Sequence, residues 1–395
     1  MTDHEIKSLL ARFPEILELP DPFIGSDGTR VTNPAQWPSQ REYLLNLLDQ
    51  YMFGETPPPP DDVSGELVSC RELPEIYAIE EQWRLTDERG LSIVAEAIRP
   101  KNRQGCPVFV WNQFADMERC PIETEVLEQG YTILSFDRTQ FAPDEMGCET
   151  FSGGKFGACY PEYPRARAVA IWGWACSFCA SWLSKRSWAG PLIAVGFSRG
   201  GKAALRAAAW DERFAVCVPV CSGAGGAGCF RYMGGRLGEG VSVCESLGLL
   251  TRRDRFWYWY RDELAAFGSA EGVLGEENRL PFDLHTLRAL VAPRAILCVE
   301  GLDDTFANGF GTQITWRAAQ EVYEFLGQRG RNGLAFFEGG HAFDAPRWRI
   351  VLDFCNVTLK GEPQRLTYRR FADKRELAEI PAVHFGWRAP EHKST

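Results

Sequence analysis

Short, continuously apolar runs recur from Pro107 onward: PVFVW, YTILSF, PLIAVGFS, FAVCVPV (214–220), RAILCVEG (294–301) and LAFFEGG (334–340). Segments with helical spacing separate many of them. A strand buried on both faces has no solvent side and so cannot alternate polar with apolar residues. The pattern therefore predicts an α/β chain built on a mostly parallel central sheet with helices on both faces. One interleaved helix, Ala168–Leu183 (AVAIWGWACSFCASWL), is apolar throughout but shorter than the ~20 residues of a membrane span. It also carries Ser177 and Ser181, so it is expected in a protein core, and no membrane partner is expected.

Upstream, the segments 66–73, 82–86 and 92–98 show period-two patterning and predict an antiparallel flank to that sheet. An amphipathic helix is expected over 39–51, after the turn-forming Asn33-Pro34, followed by the run Pro57–Pro60. Together these suggest a single domain of 395 residues: an N-terminal extension and antiparallel flank over 1–100, a core over 101–360 and a C-terminal tail over 361–395.

A net charge of -10 with no long Lys/Arg run argues against a nucleic-acid partner and favours an uncharged or sugar-like ligand. The opening MTDHEIKSLLARF lacks a basic segment followed by an apolar run, which makes the cytoplasm the expected compartment. Thirteen cysteines, several inside apolar runs, read as mostly free buried thiols. Cys176 and Cys179 form a C-x-x-C inside the apolar helix with no second pair nearby, so neither a metal nor a cofactor is expected.

The strongest chemical signal is Gly196-Phe197-Ser198-Arg199-Gly200, directly after the strand PLIAV and before the helix-forming KAALRAAAW. Strand, G-x-S-x-G and helix in that order match the nucleophile elbow of the α/β-hydrolase fold, in which flanking glycines permit a strained turn. Ser198 is thus the candidate nucleophile. A serine hydroxyl needs a base to take its proton and an acid to orient that base. Of five histidines, His4 and His392 lie in the termini, His384 in the tail, and His285 in a loop where a structural role is expected. His341, after the last strand in FFEGGHAFD, satisfies the Ser, acid, His order of this fold. For the acid, Gly301-Leu302-Asp303-Asp304 offers two aspartates; the spacing favours Asp304, with Asp303 the alternative. One oxyanion donor is expected from the backbone N–H of Arg199 and a second from Asn112-Gln113-Phe114. The Arg199 side chain has two readings: support for a developing oxyanion or a bound carboxylate, or a surface ion pair.

These residues resemble the glucuronoyl esterase family, which cleaves esters of 4-O-methylglucuronic acid. The resemblance covers most of the chain, including Asp27-Gly28-Thr29, the segment from Trp37 to Gly54, GFSRGGKAAL, SGAGGAGCFR from Ser222, LPFDLHTLRALVAPR, the loop Asp303–Asn308 and GGHAFD. It implies Ser198 as nucleophile, Arg199 as the arginine assisting the oxyanion, Lys202 as a ligand of sugar hydroxyls and His341 as base. Two positions depart from the family. Cys221 stands where many members carry a glutamate, so the acid must come from Asp304 or Asp303. Phe306 stands where a tryptophan commonly packs on the sugar. Trp257, in the aromatic run 256–260, is a further candidate for sugar stacking, the competing reading being a helix that buries aromatic side chains.

The resulting expectation is a cofactor-independent serine carboxylester hydrolase acting on a small-molecule or glycan ester. Alternatives are a different acyl hydrolase or non-hydrolytic enzyme on a small intracellular metabolite and, from another class, a catalytically silent binding protein.

Overall fold

The apolar runs form the centre of a ten-stranded sheet in the computed structural model, which describes residues 1–232, 244–268, 275–370 and 384–391. In chain order the strands are β1 (Val63–Leu73), β2 (Ala78–Asp87), β3 (Ser92–Pro100), β4 (Cys106–Gln113), β5 (Thr132–Asp137), β6 (Ala189–Phe197), β7 (Phe214–Val220), β8 (Ala295–Gly301), β9 (Asn332–Phe337) and β10 (Arg369–Arg370). Their spatial order is β1-β2-β3-β5-β4-β6-β7-β8-β9-β10. Pairing is antiparallel from β1 through β2 and β3 to β5, and parallel from there to β10. Every residue of β4 and β8 is buried, the burial on both faces that their unbroken apolar sequences require. This is the architecture of an α/β-hydrolase.

The helix Ala168–Leu183 is buried along its whole length, and its seat in the core explains why it carries no polar face. No helix among the described residues is long and apolar enough to cross a membrane. None of the thirteen cysteines is in a disulfide.

Three regions differ from the sequence expectation. The helix expected over 39–51 spans Trp37–Leu48 and continues as a π-helical turn, Asp49–Phe53, ending at Gly54. Gly54 has a positive φ of 78°, and a Cβ there would meet the Arg165 carbonyl oxygen at 1.9 Å, which explains the abrupt stop. The N-terminal extension is also part of the core: Leu9, Phe23, Trp37, Leu44 and Leu48 share one apolar cluster with residues as distant as Phe336. His384 is likewise buried instead of lying in a free tail, and its carbonyl accepts from the Leu19 N–H.

Candidate active site

β6 ends at Phe197 and the helix Arg199–Trp210 begins two residues later, leaving Ser198 alone to turn the chain. Ser198 adopts φ 55° and ψ -124°, a conformation rare for a residue with a side chain and typical of strained functional turns. The flanking glycines are sterically required. A Cβ on Gly196 would come within 2.1 Å of the Gly200 carbonyl oxygen, and one on Gly200 within 2.9 Å of Asn112 Oδ1. The Asn112 amide fastens the turn from below, donating to the carbonyls of Val195 (3.2 Å) and Gly200 (3.0 Å).

His341 and Asp304 are brought together by the loops after β9 and β8. His341 Nδ1 lies 2.5 Å from Asp304 Oδ2, and the second carboxylate oxygen accepts from the Ala307 N–H at 3.2 Å. The imidazole packs against Phe197, the residue before Ser198, with ring centroids 4.5 Å apart. The His341 side chain remains partly exposed, at 40%, while the Asp304 side chain is at 4%. Such burial strengthens the pair, because little solvent competes for the aspartate. Asp303 has a different position: its carboxylate accepts from the Gly339 N–H (3.2 Å), and its own N–H donates to the Gly339 carbonyl (3.1 Å). It ties the two loops together, and Asp304 faces the histidine. Arg347 steadies the histidine loop from the other side, donating to the carbonyls of Glu338 and Gly340.

The cleft next to Ser198, about 370 Å³, is lined by Trp111, Phe114, Arg138, Phe197 and Arg199 among others. The Arg199 guanidinium donates to Asp144 Oδ2 at 3.1 Å and lies 5.6, 5.5 and 5.0 Å from the ring centroids of Phe114, Phe256 and Trp259. Asp144 is the hub of this arrangement. Its side chain is fully buried, and it also accepts from Tyr258 Oη (2.7 Å), Trp259 Nε1 (3.1 Å) and Arg138 (3.4 Å). Burial lowers the pKa of Arg138 to about 10. Sequence reasoning missed Asp144, which sits in an irregular Ala-Pro-Asp-Glu stretch with no periodicity or motif.

Two of the expected substrate ligands are placed otherwise. Lys202 is buried, and its ammonium donates to the carbonyls of Ser222 (2.7 Å) and Ala224 (2.6 Å) and to Glu245 (2.7 Å). An ammonium has three donors, so none is left for a sugar hydroxyl. Lys202 instead ties the elbow helix to the glycine-rich loop after β7. Trp257 is also buried: its N–H donates to the Cys148 carbonyl (2.7 Å), and its ring carries the Arg253 guanidinium at 4.1 Å. The aromatic run forms a short 3-10 helix over Trp257–Trp259 with all three side chains buried, and it is Phe256 and Trp259 that contact Arg199. Phe306 lies on the loop after β8 and is 48% exposed. His285 is fully buried with Nε2 2.8 Å from the Pro20 carbonyl, and burial lowers its pKa to about 4.

Two further groups lie next to the histidine–aspartate pair. Cys221, at the end of β7, has a positive φ of 43°, and its thiol is pushed well above the usual range by burial and by nearby Glu300 and Asp304. Glu300, inside β8, is fully buried. Burial and then the charge of Asp304 push its pKa up to about 8.

A family model described as fungal glucuronyl esterase matches residues 87–327, which include Ser198 and Asp304. A 4-O-methyl-glucuronoyl methylesterase of Schizophyllum commune is 28% identical over 365 residues, covering 89% of this chain and 84% of the relative. One of Podospora anserina is 27% identical over 327 residues, covering 80% of this chain but only 61% of the relative. Among solved structures, a carbohydrate esterase family 15 glucuronoyl esterase from Caldicellulosiruptor kristjansonii superposes with a TM-score of 0.75 at 27% identity, covering 94% of this chain and 98% of that one. A glucuronoyl esterase from Sporotrichum thermophile shares the fold at 20% identity, with a TM-score of 0.74 and coverage of 94% and 96%.

Proposed function

The chain belongs to the glucuronyl esterase family, and on that premise we propose that it is a serine carboxylester hydrolase that works through an acyl-enzyme and accepts esters of a uronic acid. The observation that carries this reading is the His341–Asp304 pair, 2.5 Å apart, packed against the residue that precedes a serine held in a strained elbow.

In this reading His341 takes the Ser198 proton as the hydroxyl oxygen attacks the ester carbonyl, while Asp304 holds the imidazole in the required tautomer and stabilises its charge. The negative oxygen that develops is met by the backbone N–H of Arg199, one of the first N–H groups of a helix and so without a partner inside it. The Arg199 guanidinium adds positive charge on the same side. His341 then protonates the departing alcohol, and a water deprotonated by the same histidine releases the acid from Ser198. The sugar ring of the acyl group packs on the exposed face of Phe306, which lacks the polar N–H of an indole.

The test is a side-by-side assay with a methyl glucuronate ester and a simple aryl acetate, using Ser198→Ala as the control. Preference for the uronate ester, lost in the control, is the expected outcome. Equal or better turnover of the aryl acetate would overturn the uronate assignment. Retained hydrolysis by pure Ser198→Ala would overturn the nucleophile.

A further inference from the structure

Cys221, Asp304 and His341 each offer one donor atom, a thiol sulfur, a carboxylate oxygen and an imidazole nitrogen, and these atoms lie within 4.8 Å of one another. Donors around one zinc ion lie at about 2.0–2.3 Å from the metal, so small side-chain rotations bring this trio into range of a single ion. Cys221 has little other engagement: its sulfur has one long contact, 3.8 Å to the Ala342 carbonyl. Its positive φ bends the end of β7, an uncommon conformation for a residue with a side chain.

A divalent ion deprotonates a thiol that it binds and places positive charge beside the buried Asp304 carboxylate. His341, partly exposed, provides an open side for entry and for a solvent ligand.

We propose that Cys221, Asp304 and His341 form a binding site for a thiophilic divalent cation, of the zinc or cadmium class, whose occupancy switches the esterase off. On binding, the S–H bond breaks and its proton leaves to solvent, the proton on His341 Nδ1 moves by way of solvent to Nε2, a metal–sulfur bond forms, and Nδ1 and the carboxylate donate lone pairs. No electron is transferred. The ion competes with the Asp304–His341 contact and takes the base out of proton transfer, so inhibition is reversible by a chelator. Magnesium, which prefers oxygen ligands and an octahedral shell, is not expected to substitute.

The experiment follows zinc inhibition of the wild type and of Cys221→Ala and Cys221→Ser, each relative to its own metal-free rate. In parallel, the ultraviolet cadmium–thiolate absorption is read in the wild type, in Ser198→Ala and in the two Cys221 variants. The expected result is an inhibition midpoint raised by about tenfold or more without the thiol. A cadmium band should be present in the wild type and in Ser198→Ala, and diminished in both Cys221 variants. Because that band needs no substrate, it tests the site even if the ester assignment fails. Equal midpoints, or an unchanged band in the Cys221 variants, would overturn the site; should those variants lack activity, the band alone decides.

Discussion

β7 and β8 are neighbours in the sheet and both end beside His341, yet they deliver opposite chemistry. β8 presents a carboxylate, Asp304, anchored by the Ala307 N–H and placed 2.5 Å from the imidazole. β7 presents a thiol, Cys221, which burial keeps protonated. Reaching the histidine is a property of the backbone topology. Orienting its proton and stabilising its charge needs a carboxylate, and only one of these two strand ends supplies one.

The largest effect expected from breaking this asymmetry is that of Asp304→Asn. Its kcat should fall by about 10,000-fold, in line with loss of the orienting acid in a serine triad, while Cys221→Ala should cost less than about tenfold in the metal-free enzyme. Steady-state kinetics of both variants checks the pair, and the reverse ranking would place the acid on β7. A smaller effect is expected at the other wall of the cleft. Asp144→Asn removes the anionic partner that aims Arg199 and should lower kcat by about a hundredfold, comparable to loss of one oxyanion donor. A rise in KM alone, with kcat intact, would mean that Arg199 serves binding only.

The smallest effect concerns Glu300, which adjoins the Asp304 loop within β8. Its folded-state pKa of about 8 lies above the ordinary 4.5. The folded chain therefore holds a proton that the unfolded chain releases, and the contribution of this group to stability is lost as pH rises from 4.5 through about 8. Glu300→Gln cannot titrate, so Tm measured across that window should decline less steeply than in the wild type. Asp49 and Glu277, raised to about 6 and about 7 by burial, keep part of the slope in both proteins. An unchanged slope would show that Glu300 is ionised in the fold.

The parallel strands were legible because burial on both faces imposes a one-dimensional signature, and the limits of FAVCVPV in sequence coincide with β7. The elbow was legible for a similar reason, since a strained turn between a strand and a helix needs small neighbours and Gly196 and Gly200 supply them. The misplacements have one cause. Lys202 was assigned to the cleft by the family resemblance and Trp257 by residue type, but the partners that claim their donors, Glu245, Ser222 and Ala224 for one and Cys148 for the other, lie far along the chain.

The amino-acid order by itself determined the α/β-hydrolase sheet, the elbow position of Ser198 and the histidine that follows the last long parallel strand, because each is written in local patterns of apolarity, glycine and strand order. Only the tertiary structure decided that Asp304 faces His341 while Asp303 ties two loops together, and that Asp144 aims Arg199. Hydrogen bonds and charge interactions depend on distances of a few ångströms between side chains far apart in sequence, and no local pattern records them.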